Sequence, residues 1–599
     1  MIIAAAALNQ TPLDWIGNFN RIESAVNQAK SKKANLILLP ELSVSGYGCE
    51  DYFLMPWVLE KAREVLVQQV LPLSQNIFIA IGLPFSHKGI SYNTLALCYN
   101  GQLKGLYAKQ ILPKSGVFYE PRWFEPWPAN TTEIITVGND ECPIGDFTLE
   151  FNGLTLGFEI CEDAWHPEKR PAVTGAARDA DLILNASASN YARGKQAERH
   201  DLITSLKGKN DAYYLYTNLL GNESGRLIFD GEILFGSDGE IGFASKRFSM
   251  QETTLEIFEI NFDKPAFKAI EPVNEDEFED FTDAVSLALL DYLRKSKSKG
   301  FALSLSGGAD SATCAIMVAE MLKRASKQLS KQAIEQKLGF ELKGANIHDW
   351  VNQILICVYQ GTENSGPVTR NAAEKVAQEI GAQYISWEID SLLSGYTTLT
   401  ENALGRKLDW KTDDLVLQNI QARTRAPGIW MLANTFNFLL ITTSNRSEGD
   451  VGYCTMDGDT AGSLAPIAGV SKHFVRQWLV WAKEKLGYSS LQFIIEQSPT
   501  AELRPQSSKQ TDEGDLMPYD LLEAIEIQLI GQRKSPEETL LFLLVTRKEK
   551  AEYLQAQIQK FVSMWKRSQW KRERMAPSFH LDRFNIDPKS GGRYPILSI

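Results

Sequence analysis

Short runs of apolar and β-branched residues recur along the chain, at 36–39, 77–81 and 182–184, and alternate with stretches such as 18–33 whose apolar positions return every three or four residues. The short runs predict buried strands and the longer period predicts amphipathic helices. Their alternation predicts an α/β fold. The opening MIIAAAALNQ is apolar, lacks a basic leader and is too short to span a bilayer, so it predicts a buried first strand.

Around 262–285 the texture changes to FDKPAFKAIEPVNEDEFEDFTDA, with two prolines and a run of carboxylates, which predicts a domain boundary. The expected division is a first domain over 1–262, a linker over 263–283 and a second domain over 284–599. In the second half the apolar strand FALSLS at 301–306 feeds a glycine turn and then the helical pattern SATCAIMVAEMLKRA. The stretch 326–350 is polar and helix-favouring, and predicts a decoration on that domain.

A chain of 599 residues exceeds what one core organises, and its 44% hydrophobic and 23% charged residues are those of an ordinary globular protein. The formal net charge of -12 argues against nucleic-acid binding. Seven cysteines, widely spaced and without a CxxC pair, argue against a disulfide framework or a zinc ribbon and fit a reducing compartment. With no run long enough to span a membrane, the expectation is a cytoplasmic protein. Six scattered histidines support neither a histidine metal site nor a Ser/His/Asp arrangement.

The sharpest local signal is SGGADS at 306–311, between a strand and a helix. Glycines there let backbone N–H groups turn toward an anion at the helix end whose dipole favours negative charge. A tight glycine turn that binds nothing is the bland alternative. No lysine follows, so it is not a GxxxxGK[ST] loop, and it lacks the GxGxxG spacing. A second cluster holds QNIQARTRAPGIWMLAN, FLLITTSNRSEGDVGY, CTMDGD and SLAPIAGVSK. Arg423 and Arg425 in it could be surface ion-pair residues. They precede what reads as a buried strand, however, whose carboxyl end is where α/β sheets bind ligands.

In the first half, GFEICEDAW puts Cys161 at the end of an apolar strand, LILLPELSVSGYGCED puts Glu41 just past another, and YAKQILPKSGVFYEPRWF gives Lys109 a similar position. A cysteine after a strand is commonly an inert core residue. Together the three segments resemble the nitrilase superfamily. That resemblance implies an α-β-β-α sandwich and a thioester mechanism. Cys161 would be the nucleophile, Glu41 the proton acceptor and Lys109 the cation at the oxyanion. Glu120, in VFYEPRWF, matches the additional glutamate of many relatives, or is a buried structural carboxylate. NASASNYARGKQAER at 185–199 resembles the glutamine-gripping segment of such glutaminases and implies Ser189 and Lys195 as contacts, with Ser115 standing where relatives often have tyrosine.

The SGGADS loop is similar to the pyrophosphatase-type loop of ATP enzymes that release AMP and pyrophosphate. With NIQAR, TTSNRSE and the later lysine it resembles the NAD+ synthetase family, which implies a Rossmann-like parallel-sheet domain. Carried over residue by residue, ATP would meet Ser306, Gly307, Gly308, Ala309, Asp310, Ser311, Thr443, Lys472 and Thr500. Mg2+ would be held by Asp310 and Glu448. Deamido-NAD+ would meet Asn419, Arg423, Glu448 and Lys571. Departures from the family pattern stand at Gln418, Ser444 and Met456.

The resemblance covers nearly the whole chain, and the order of the halves is that of the glutamine-dependent NAD+ synthetases. It implies ammonia made from glutamine, delivered along a protected passage, and a homo-oligomer built on a synthetase dimer. Two alternatives are another glutamine-fed amidotransferase on the same ATP loop and a non-catalytic protein with degenerate folds; Glu41, Lys109, Cys161 and Asp310 together argue against the second.

Overall fold

The computed structural model describes residues 1–114, 116–260, 276–497, 502–505 and 511–597. The chain divides into two compact units, Met1–Asp280 and Phe281–Ile599. Residues 263–275 of the expected linker, together with Ser115 and Thr500, lie outside the described residues. Residues 277–283 already form the first turns of the helix Glu277–Ser296.

Strands of the first unit are β1 (Ile2–Leu8), β2 (Leu36–Leu38), β3 (Phe78–His87), β4 (Ile90–Tyr99), β5 (Gln102–Ala108), β6 (Thr132–Val137), β7 (Asp140–Gly145), β8 (Leu149–Phe151) and β9 (Leu154–Ile160). They continue with β10 (Leu182–Ser187), β11 (Tyr213–Asn218), β12 (Leu220–Glu223), β13 (Leu227–Asp230), β14 (Ile233–Ser237), β15 (Glu240–Ala244) and β16 (Thr253–Glu259). One sheet runs β16-β1-β2-β3-β4-β5-β7-β6, a second runs β15-β14-β11-β10-β9-β8, and β12 pairs with β13.

The alanine run of the first strand explains its place. From Ile3 to Leu8 every residue of β1 is buried. Side chains alternate across a strand, so Ala4, Ala6 and Leu8 share one face and pack with Ile22, Ala25, Val26 and Ala29 of the helix Trp15–Ser31. On the opposite side β1 and β2 lie against β11, and Thr217 Oγ1 donates to the Ala6 carbonyl at 2.9 Å. The outer face of the second sheet buries Ile183, Tyr214 and Leu234 with Leu202 and Ile203 of the helix Lys195–Thr204. The layers are therefore helix, sheet, sheet, helix. The first helix starts ahead of its apolar pattern because Asp14 accepts the Gly17 N–H at 3.0 Å and caps it.

In the second unit β17 (Gly300–Ser304), β18 (Leu355–Gly361), β19 (Gln383–Glu388) and β20 (Phe438–Ile441) form a parallel sheet in the order β19-β18-β17-β20. The chain order reverses between β17 and β20, and open α/β sheets bind ligands outside the carboxyl ends of their strands at such a point. The helix Asp414–Phe436 covers one face, placing Ile429 and Ala433 on Ala302, Ile356, Val358 and Leu440. A further cluster joins Val451 to Leu521, Leu522, Ile525, Leu543, Ile558 and Phe561 of the last helices.

Two sequence expectations are corrected here. The stretch 326–350 is no surface decoration: its helix Lys331–Leu338 buries Ile334 and Leu338, and the helix Ile347–Ile354, which begins within it, buries Trp350 and runs on through Val351 and Ile354 against β17, β18 and β19. A narrow apolar stripe was outweighed by polar residues in the composition. The apolar run at 438–441 is an edge strand rather than a fully buried one, with Phe438 and Leu439 half-buried.

Candidate active sites

Three buried charges meet at one end of the first unit. Glu41 follows β2, Lys109 follows β5, and Glu120 opens a short turn that folds back over Pro113. Lys109 Nζ donates to Glu41 Oε1 at 2.6 Å and to Glu120 Oε1 and Oε2 at 2.8 and 3.0 Å. Neither the Lys109 nor the Glu41 side chain is exposed. Taking ions out of water is costly unless their remaining lone pairs are satisfied. Asn93 Nδ2 and the Ala188 N–H donate to the two oxygens of Glu41 at 2.7 and 2.8 Å, and Tyr47 donates to Glu120 at 2.8 Å. Gly82 on β3 lies under this turn, where a side chain would run into the backbone of Glu41 and Leu42.

Burial pushes the Glu41 carboxyl up to about 7, against the pull of Lys109 and with the push of Glu120. A carboxyl poised there can both take and return a proton near neutrality. Cys161, one residue past β9, is buried and has a backbone φ of 43°, in the left-handed region. Burial, and then the charge of Glu41, hold its thiol well above the ordinary cysteine value, while Lys109 and the Ala188 N–H favour the thiolate. At rest the Cys161 side chain is therefore a neutral thiol that ionises only with the help of a base.

Beside this group the Ser189 hydroxyl is buried without a hydrogen-bond partner among the described residues, while its N–H donates to Asn218 Oδ1 at 2.8 Å. Lys195 Nζ donates to Asn190 Oδ1 at 2.8 Å and lies 5.4 and 5.6 Å from the ring centres of Trp165 and Phe118. Burial lowers its ammonium to about 8. An aromatic-walled cation and an unsatisfied hydroxyl suit a polar, charged small molecule.

In the second unit a cavity of about 660 Å³ opens at the carboxyl ends of β17 and β20, lined among others by Ser306, Gly307, Gly308, Ala309, Asp310, Thr443, Glu448 and Lys472. Ser306 and Ser311 share a hydrogen bond of 3.1 Å across the loop, and the helix Ala309–Gln328 begins there. Gly307 has φ of 82°, and a side chain on it would run into the Thr369 carbonyl. Asn445 Nδ2 donates to Asp310 at 3.2 Å and its Oδ1 accepts the Glu448 N–H at 3.0 Å, so one side chain ties the loop after β17 to that after β20. Lys472 Nζ donates to Asp310 and to Glu448, the latter at 3.1 Å. Burial pushes Glu448 up to about 8, opposed by Lys472. Among the described residues no group of three or more His, Cys, Asp or Glu is arranged to hold a metal. Asp310 and Glu448 are the carboxylates here that could hold a divalent cation, which beside phosphates needs only one or two, and the Lys472 ammonium bridges them.

Asn419, Arg423 and Lys571 are not gathered on this cavity. They converge on the loop 452–456 instead. Thr455 Oγ1 donates to Asn419 Oδ1 at 2.8 Å, Arg423 Nε donates to the Met456 carbonyl at 3.1 Å, and Lys571 Nζ donates to the Gly452 and Cys454 carbonyls at 2.6 and 2.7 Å. Arg423 lines a second cavity of about 480 Å³ with Trp430 and Arg574, and Ala426 and Ala461 border both cavities. Asn93, Tyr47 and Asn445 escaped the sequence reading. Asn93, a polar residue inside the apolar run of β4, carried a usable signal.

Comparison with known proteins gives these sites their class. Residues 2–261 match the carbon-nitrogen hydrolase family and 281–575 match NAD synthase. The chain is thus an enzyme joining a carbon–nitrogen hydrolase to a synthetase. A glutamine-dependent NAD+ synthetase from Cytophaga hutchinsonii of known structure is 42% identical, with a TM-score of 0.89 over 100% of this chain and 98% of that one. Glutamine-dependent NAD+ synthetases of Aquifex aeolicus and, as a putative member, Schizosaccharomyces pombe are 30% and 27% identical, over 90% and 98% of this chain and 90% and 94% of theirs. The chain belongs to the glutamine-dependent NAD+ synthetases, ligases that take their amide nitrogen from glutamine.

Proposed function

We propose that the first unit makes ammonia from glutamine at Cys161 and the second uses it to amidate deamido-NAD+. The observation that carries the first half is the closed set of hydrogen bonds among Glu41, Lys109 and Glu120 beside a cysteine whose thiol needs a base. Glu41 takes the Cys161 proton as sulfur attacks the side-chain amide carbon of glutamine. Lys109 holds the developing oxyanion by its fixed charge. Glu41 returns the proton to the departing nitrogen, and ammonia leaves a thioester on Cys161. Glu41 then activates water, and glutamate is released. Ser189 and Lys195 grip the polar end of the substrate.

In the second unit the SGGADS loop and Lys472 hold the ATP phosphates. The nicotinate carboxylate of deamido-NAD+ attacks the α-phosphate, pyrophosphate leaves, and ammonia displaces AMP from the acyl-adenylate. Mg2+, held by Asp310 and Glu448, would offset phosphate charge. Arg423 lines the second cavity, and Ala426 and Ala461 are shared by both cavities, which supports a dinucleotide lying across them, with Asn419 and Lys571 holding the loop 452–456. A reaction with deamido-NAD+ that yields AMP, pyrophosphate, glutamate and NAD+ in equal amounts tests the scheme. Release of ADP and phosphate would overturn it.

A homo-oligomer is supported by the helix Asp390–Leu404, which buries none of its residues and leaves Leu392 and Leu399 57% and 70% exposed. Light scattering on the purified protein tests it, and a monomeric mass would count against it. All seven cysteines stand unpaired, which supports a cytoplasmic, reducing setting. Among the described residues no helix is long and apolar enough to cross a membrane.

A further inference from the structure

Cys161 occupies a backbone conformation that a non-glycine residue holds only when its surroundings over-determine it. Two residues on, the wholly buried Asp163 accepts four hydrogen bonds. Its Oδ2 accepts the Ile160 N–H and the Tyr107 hydroxyl, each at 2.9 Å. Its Oδ1 accepts the Gln110 and Ile111 N–H groups at 3.0 and 2.8 Å. Ile160 is the residue before Cys161, and Gln110 is the residue after Lys109. One carboxylate therefore closes the cysteine turn with one oxygen and fastens the lysine segment with the other.

We propose that Asp163 is a positioning residue for glutamine hydrolysis, setting the placement of the Cys161 sulfur relative to the Lys109 ammonium; the proposal rests on the roles given above to Cys161 and Lys109. Asp163 need not touch glutamine. Its two acceptor oxygens are the reason for its chemistry. Asparagine has the same shape with a single acceptor oxygen, so it must release either the cysteine turn or the lysine segment, and its amide N–H groups would then face other N–H donors. Burial pushes the Asp163 carboxyl up to about 7, while the hydrogen bonds from Ile160, Ile111 and Tyr107 favour the ionised form that accepts them. Misplacing reacting groups by about an ångström can cost on the order of 100-fold in rate without changing what binds.

The test compares Asp163→Asn, Tyr107→Phe and Cys161→Ala in the full chain by steady-state glutamate release, with NAD+ formation from ammonium and thermal unfolding measured alongside. Expected are a kcat for glutamine lowered about 100-fold in Asp163→Asn and about 3- to 10-fold in Tyr107→Phe, with KM within threefold and ammonium-driven synthesis unchanged. Tyr107→Phe removes one donor and leaves the carboxylate, so it carries the test if Asp163→Asn fails to fold. A kcat within threefold of wild type in Asp163→Asn, or a KM that rises as steeply as kcat falls in either variant, overturns the proposal. Glutamine hydrolysis surviving in Cys161→Ala overturns the underlying reading instead.

Discussion

Lys109 Nζ stands 2.6 Å from Glu41 Oε1, and the contact is sealed from solvent on both sides. Breaking such a pair leaves a buried carboxylate without its counter-charge. Lys109→Met is expected to destabilise the first unit by ~3–5 kcal/mol and to lower glutamine hydrolysis by at least ~100-fold. Lys109→Arg should not restore activity, because a planar fork does not fit where a point charge sits between two carboxylates. Glutamate release and thermal unfolding of the two variants check this.

The raised Glu41 carboxyl gives the reaction a pH signature. In the proposed role of base it must be ionised, so kcat/KM for glutamine should rise with pH through about 7 rather than through the ordinary carboxylate range. The linked stability runs the other way. A carboxyl held up in the folded state contributes stability below its unfolded value and loses that contribution as pH rises through about 7. Glu120 adds to the upward shift, so Glu120→Gln should move the acid limb to lower pH. Glutamate release measured between about pH 5 and 9 reads both.

Gly307→Ala should abolish ATP-dependent synthesis with either nitrogen donor while the first unit still hydrolyses glutamine. The position combines a φ of 82° with a direct collision with the Thr369 carbonyl, so the loop cannot keep its turn. ATP binding by calorimetry checks it. Retained binding would mean that the loop tolerates a different path.

Chelation of divalent cations should stop pyrophosphate release, and Mg2+ should restore it. Asp310→Asn leaves the Asn445 contact a partner but removes one of two carboxylates, so the Mg2+ concentration for half-maximal rate should rise about tenfold or more. Titration of pyrophosphate release with Mg2+ checks this, and an unchanged requirement would place the cation elsewhere.

Both layers of chemistry were legible where it is written in short segments. The strand–SGGADS–helix arrangement and the segments around Glu41, Lys109 and Cys161 carry their own context, because each sits directly after an apolar run. The residues that complete the sites were not legible, since they arrive from distant strands and loops. Asn93 lies on β4 and Tyr47 in a loop, and only folding brings Asn93 to Glu41 and Glu120 and Tyr47 to Glu120. The helix Asp414–Phe436 was hidden by Pro427 in its interior. Composition also concealed the buried stripe of 331–354.

The most direct test of the account is NAD+ formation from deamido-NAD+, ATP and Mg2+ by wild type and Cys161→Ala, each given glutamine or ammonium. The account predicts that the variant loses the glutamine reaction and keeps the ammonium reaction at the wild-type rate. A variant that still uses glutamine, or a wild type that makes no NAD+ with either donor, would contradict it.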